Sequence, residues 1–222
     1  MEDWSAHAER EEARYLEGEQ RLPDIDDPDQ RQRQLTRMGN AAGGAGLAYL
    51  MQRRHEEAAR WLERAAERYR DSLADAPAES WGRPIGAIKA RLLAGDWPNA
   101  VKEAQWTLGL GAAEAESPIG RYAACLALLV LGRDQEARAL ADGLRTGDDF
   151  PAAVGDALAT IAAEDPLGYV EAVEAVLESF ETRDEYLEDI PVADTVMVLQ
   201  ALAARRDLAA DLGSPLLPST ST

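Results

Sequence analysis

One hinge pattern recurs along this chain of 222 residues and narrows its folding options more than any bulk property does. In Leu92–Leu108, LLAGDWPNAVKEAQWTL, Gly95 ends an apolar-striped segment and Asp96 is placed to cap the next one through its carboxylate. Pro98 falls in the first turn, where no backbone N–H is needed, and Ala100 lets the second helix lie close against the first. The pattern returns at Gly132–Leu144, with Asp134 as cap and Ala137 as the small residue. It returns again at Asp165–Leu177, opened by Asp165 and Pro166 with Ala172 in the contact position, and an earlier copy, Gly46–Ala65, uses Ala58. The steps from Ala58 to Ala100 to Ala137 to Ala172 are 42, 37 and 35 residues, the range of helix-pair repeats. The expectation is an all-α chain, a stack of about four helical hairpins with an N-terminal helix and a C-terminal capping helix. Alanine and leucine dominate over valine, isoleucine and threonine, which agrees with helix rather than sheet.

On this reading residues 1–222 form a single helical-repeat domain, with the stack over 39–212. Residues 2–20 predict an amphipathic helix with Trp4, Ala8, Tyr15 and Leu16 on one side. Residues 1–30 are either a cap on the first hairpin or a mobile arm. The first helix of that hairpin, roughly 32–53, contains GNAAGGAGLAY, so it is kinked or packed very closely. Ser117 and Pro118 open the third hairpin as a cap and a first-turn proline, and the Tyr122–Leu131 stretch that follows is apolar nearly all round, the mark of the most buried helix. Pro191 is expected to start the last helix, with Val192, Val196, Leu199 and Leu202 in register, and residues 213–222 to be a frayed tail.

The formal net charge of −18 is unevenly spread. Residues 142–194 carry 15 acids against only Arg145 and Arg183, while residues 39–141 carry 13 of each sign. A field of this sign repels phosphate backbones and anionic membrane surfaces, so nucleic acid and membrane are not expected partners. Only Lys89 and Lys102 are lysines, a composition that also fits a salt-adapted proteome in which surplus carboxylates keep the protein hydrated. Cys125 is the only cysteine, which makes a reducing cytoplasm the default location. The acidic N-terminus has no apolar core of a signal peptide, and Tyr122–Leu131 is too short to span a bilayer.

Reactive constellations are missing from the sequence. His7 and His55 stand without a second histidine, a cysteine pair or an HExxH frame, and Cys125 reads as a small buried hydrophobe. Counting Asp24 as the first position of a calcium loop puts Asp29 where glycine belongs and Leu35 where the bidentate glutamate should be. Gly39, Gly43, Gly44 and Gly46 follow no strand and precede no Gly-Lys-Ser/Thr, so close helix packing explains them better than a phosphate cradle. Neither histidine has a glutamate three residues before it, as a di-iron bundle would require. No catalytic residue, metal ligand or cofactor is therefore expected.

The hairpins resemble tetratricopeptide repeats in degenerate form. Gly46, Tyr49, Ala58, Leu62 and Ala65 fall where that motif places small, aromatic, small, bulky and small residues; Gly95, Trp97, Ala100 and Ala104 form a second copy, and Gly132, Ala137 and Ala141 a third. The resemblance implies a curved solenoid that binds peptides or proteins, although the basic peptide-clamping residues of that family have no counterparts here. The C-terminal third is similar to the immunity protein 49 family, all-helical antidotes to polymorphic toxins. Leu177, Glu178, Tyr186, Leu199, Leu202, Ala203 and the Ser214–Pro218 segment, SPLLP, carry that similarity.

The expectation for function is a non-catalytic protein that holds a basic protein partner. Asp148, Asp149, Glu181, Asp184, Glu185, Glu188 and Asp189 are the candidate contact surface. A toxin-neutralising immunity protein is the first alternative, and an enzyme with a carboxylate metal centre the second.

Overall fold

The computed structural model describes residues 2–147 and 149–219. Among these the regular structure is helical and there is no strand, so the all-α expectation is met. The helices are α1 (Trp4–Arg21), α2 (Pro28–Met51), α3 (His55–Ser72), α4 (Gly82–Leu93), α5 (Trp97–Gly109), α6 (Pro118–Val130), α7 (Asp134–Arg145), α8 (Ala152–Ala162), α9 (Pro166–Glu181) and α10 (Asp194–Ala204). None is long and apolar enough to cross a membrane.

Contacts divide the chain into two compact units, the first comprising residues 1–96, 185–192 and 217–222, the second residues 97–184 and 193–216. The division falls inside the Gly95–Pro98 hinge, between the two helices of the clearest repeat copy.

In the first unit α1 packs on α2, α2 on α3 and α3 on α4. Asp3 caps α1 by accepting the Ala6 N–H at 3.1 Å, and Asp27 caps α2 from Gln30 at 2.8 Å with Pro28 in the first turn. Residues 4–21 thus form a helix packed against α2. Its inward row is Ala8, Glu11, Tyr15 and Gly18; Leu16 points outward, 49% exposed. The glycine-rich stretch of α2 is one continuous helix in close contact with its neighbours. A Cβ on Gly46 would lie 2.6 Å from Leu62 Cγ, and one on Gly39 3.0 Å from the Tyr69 ring.

In the second unit α5 packs on α6, α6 on α7, α7 on α8 and α8 on α9, with α10 against α8 and α9. Ser117 caps α6 and Asp165 caps α9, each as the sequence indicates. Every residue from Tyr122 to Val130 is buried, as an all-round apolar helix requires. Asp134 departs from expectation: Arg133 occupies the cap position, its side chain bonded to Glu136 and making no capping hydrogen bond, and the Asp134 carboxylate pairs with the buried Arg206 guanidinium. The α10 helix starts at Asp194, three residues after Pro191, because Ile190, Val192 and Ala193 are buried in non-helical backbone first. The tail is irregular but tied down as far as Leu216, whose carbonyl accepts the Ala193 N–H at 2.9 Å. The Gln200 side chain holds Ala210 through two hydrogen bonds of 2.6 and 3.0 Å.

Ala58, Ala100, Ala137 and Ala172 are all buried. Ala58 and Ala137 each lie close against the preceding helix. A Cβ on Gly46 would sit 3.4 Å from the Ala58 carbonyl oxygen, and Cys125 Sγ lies 3.4 Å from the Ala137 carbonyl oxygen, twelve residues apart in both pairs.

Candidate functional site

The acidic side chains come to lie in two separate settings. In the second unit α9 turns Tyr169, Val173, Val176, Leu177 and Phe180 inward, and the 3.6-residue period then leaves a row of Leu167, Glu171, Glu174, Glu178 and Glu181 facing solvent. Leu167 is 79% exposed, an apolar tip at one end of the glutamate row. Arg183, the nearest cation in sequence, does not neutralise the row. Its guanidinium lies 3.6 Å from the Phe180 ring centroid and its Nε donates to the Ser179 carbonyl at 3.0 Å. Glu181 accepts a 2.7 Å hydrogen bond from the Ser214 hydroxyl, and among the described residues no arginine or lysine forms an ion pair with any of the four glutamates. Asp149 and Asp184 are exposed in the same unit, and Asp148 lies outside the described residues.

Glu185, Glu188 and Asp189 belong to the first unit. Glu185 and Asp189 are exposed, but Glu188 turns inward. Its carboxylate pairs with Arg14 and accepts from Asn40 Nδ2 at 3.0 Å, while its carbonyl accepts from Arg10 at 2.6 Å. These bonds hold Glu188 and Asp189 in the left-handed region, at φ 56° and 53°, where non-glycine residues are strained by about 1 kcal/mol each. Glu188 is therefore a brace of the first unit, and its charge is spent internally.

The brace ends on a residue that sequence periodicity passes over. Glu11 is fully buried on the inward row of α1, taking Arg10 Nε and Arg14 Nη1 at 2.8 Å each. Two carboxylates facing two guanidiniums leave the cluster neutral, which is the condition for burying such a charge. The network continues through Asn40 to the Tyr69 hydroxyl, 2.9 Å from Asn40 Oδ1. A spacing of 4, 8, 11, 15 and 18 along α1 is the one signal that marks Glu11 as inward-facing. The signal for the α9 row is the same period, read on the polar side.

Reactive groups are kept apart. Cys125 is buried in α6 and its thiol is pushed up to about 12 by burial, so little thiolate forms near neutrality. His7 Nε2 sits 3.0 Å from Glu2 and the ring tilts against Trp4, with centroids 5.4 Å apart. Among the described residues no group of three or more His, Cys, Asp or Glu could hold a metal ion. Compared with known proteins, the chain matches no family model, no curated protein and no solved structure.

Proposed function

We propose that this chain is a non-catalytic helical-repeat protein, of the tetratricopeptide-like kind, that holds a basic protein partner on the outward face of α9. The observation that carries the reading is the Glu171, Glu174, Glu178 and Glu181 row with Leu167 at its head. Like charges three and four residues apart destabilise a helix by roughly 0.2–0.5 kcal/mol per pair, and no ion pair offsets that here among the described residues. A partner with arginines or lysines at matching spacing would relieve the repulsion, and Leu167 would add an apolar anchor. Asp149 and Asp184 extend the field of the same unit.

The test is affinity capture from the native organism at low and high salt, comparing the natural chain with Glu171→Gln/Glu174→Gln/Glu178→Gln/Glu181→Gln. The reading expects a basic protein retained at low salt by the natural chain and lost both at high salt and with the variant. An identical retained set for both chains would sink it. A melting temperature that climbs steeply toward molar salt, with nothing retained, would assign the row to solvation.

A narrower reading, a toxin-neutralising immunity protein, rests on the similarity of the C-terminal third to that family. A toxin-like reading frame beside this gene, and growth rescue on co-expression, would support it; failure of rescue against that toxin would remove it.

A further inference from the structure

The helices α1 and α2 cross at Gly18, where a Cβ would meet Met38 Cγ at 2.6 Å and Gln34 Nε2 at 2.8 Å. Over that crossing lies an open cleft of about 130 Å³ with Gly18 and Met38 as its floor. Its walls bring together three of the chain's arginines. Arg14 and Arg21 come from α1, four residues before and three after Gly18, and Arg37 comes from α2 beside Gln34. Glu17 is the only carboxylate of the lining.

The arginines differ in what already occupies them. Arg14 spends a single nitrogen, Nη1, on Glu11 and Glu188, so it is fixed in place while Nε and Nη2 have no protein acceptor among the described residues. Arg21 is shared with Glu17 in an exposed pair one helical turn apart, the kind of pair that exchanges readily for a stronger anion. Arg37 and the Gln34 amide have no hydrogen-bond or ion-pair partner among the described residues. In a chain of net charge −18 this is a local excess of donors around one small space.

We propose that this cleft binds a single phosphate group, free or as a phosphomonoester. Arg37 and Arg21 supply the charge, and Gln34 and the unused nitrogens of Arg14 supply further donors. The cleft has room for the phosphate group alone, and the organic part of an ester would lie outside it, since pockets that enclose a whole small molecule run to roughly 300–1,000 Å³. The protein's remote carboxylates do not forbid it, because charges more than about 8 Å away are largely screened at physiological ionic strength. A nucleic-acid backbone, in contrast, would have to run along the acidic surface as a whole.

The experiment titrates the full chain with inorganic phosphate, phosphoserine and acetate at matched ionic strength, reading the arginine Nε–H resonances by NMR and the heat by calorimetry. Saturable shifts at Arg21 and Arg37 with inorganic phosphate and phosphoserine, weakened about tenfold or more by Arg37→Gln, are the expected result. Saturation by phosphoserine alone also supports the site and names an ester as its source. Both arginines are exposed, so Arg21→Gln/Arg37→Gln should leave the urea midpoint unchanged. The proposal is overturned if neither phosphate compound saturates, if acetate binds as tightly, or if the double variant binds phosphate like the natural chain.

Discussion

Gly86→Ala offers the sharpest check on how the first unit is held together. The Tyr69 ring of α3 is wedged between two glycines, Gly39 of α2 and Gly86 of α4. A Cβ at position 86 would stand 2.7 Å from Cε2 and 2.8 Å from Cδ2, and one at position 39 would stand 3.0 Å from Cδ1 and Cε1 on the other side. Retreat from one glycine drives the ring onto the other, and the hydroxyl is tethered to Asn40 at 2.9 Å. Overpacking of this kind is worth about 1–3 kcal/mol of destabilisation. Replacing a mid-helix glycine by alanine returns about 1 kcal/mol through backbone entropy. The net expectation is a loss of about 0–2 kcal/mol, seen as a lower urea midpoint at constant slope. In a Tyr69→Leu background the clash is gone, so the same glycine change should become neutral or stabilising, a sign reversal that a double-mutant cycle would register. Should Gly86→Ala raise the midpoint in the natural background, the wedge argument is wrong.

Two further outcomes follow from groups that the fold buries. Glu11→Gln should destabilise the first unit by about 1–3 kcal/mol, below the usual figure for breaking a buried pair because Arg10 and Arg14 remain about two-fifths exposed; a urea midpoint equal to the natural one would show that Glu11 is not the anchor of the brace. Cys125 has its pKa raised by burial from an ordinary 9.0 to about 12, and the buried Tyr122 and Tyr169 phenols are raised from 10.0 for the same reason. The unfolded chain therefore gives up these protons first. Their contribution is complete below pH 9 and is lost as pH climbs toward the folded values, at about 1.4 kcal/mol per pH unit for each fully titrating group. Urea midpoints between pH 8 and pH 11 should fall, less steeply in Cys125→Ala; a flat profile would contradict the burial of these groups.

The α9 face was legible only in part. Glu181 lies on the exposed row and Asp149 and Asp184 share its unit, but Glu171, Glu174 and Glu178 are more central to the row than the acidic clusters that stand out in the sequence. Dense runs such as Asp184-Glu185 and Glu188-Asp189 catch the eye as charge, whereas a helical face is spread over eleven residues and shows only when the period is followed outward. Glu188 was unreadable because its partners, Arg14 and Asn40, are 174 and 148 residues away in the chain.

What the chain encodes within a few residues was readable in advance: the helical class, the Ser117 and Asp165 caps, the buried α6 and the small residues where paired helices approach. Caps and hydrophobic period act over one or two turns, so they are complete in any window of that length. Which way a charge faces, and which neighbours it meets, required the folded chain. Leu16 points out and Glu11 in, Asp134 serves Arg206 rather than its own helix end, and the contact division runs through the hinge of the best repeat copy. Each of these turns on groups brought together from distant stretches, where the free energy of one buried pair or one close crossing outweighs a local preference worth a fraction of a kcal/mol.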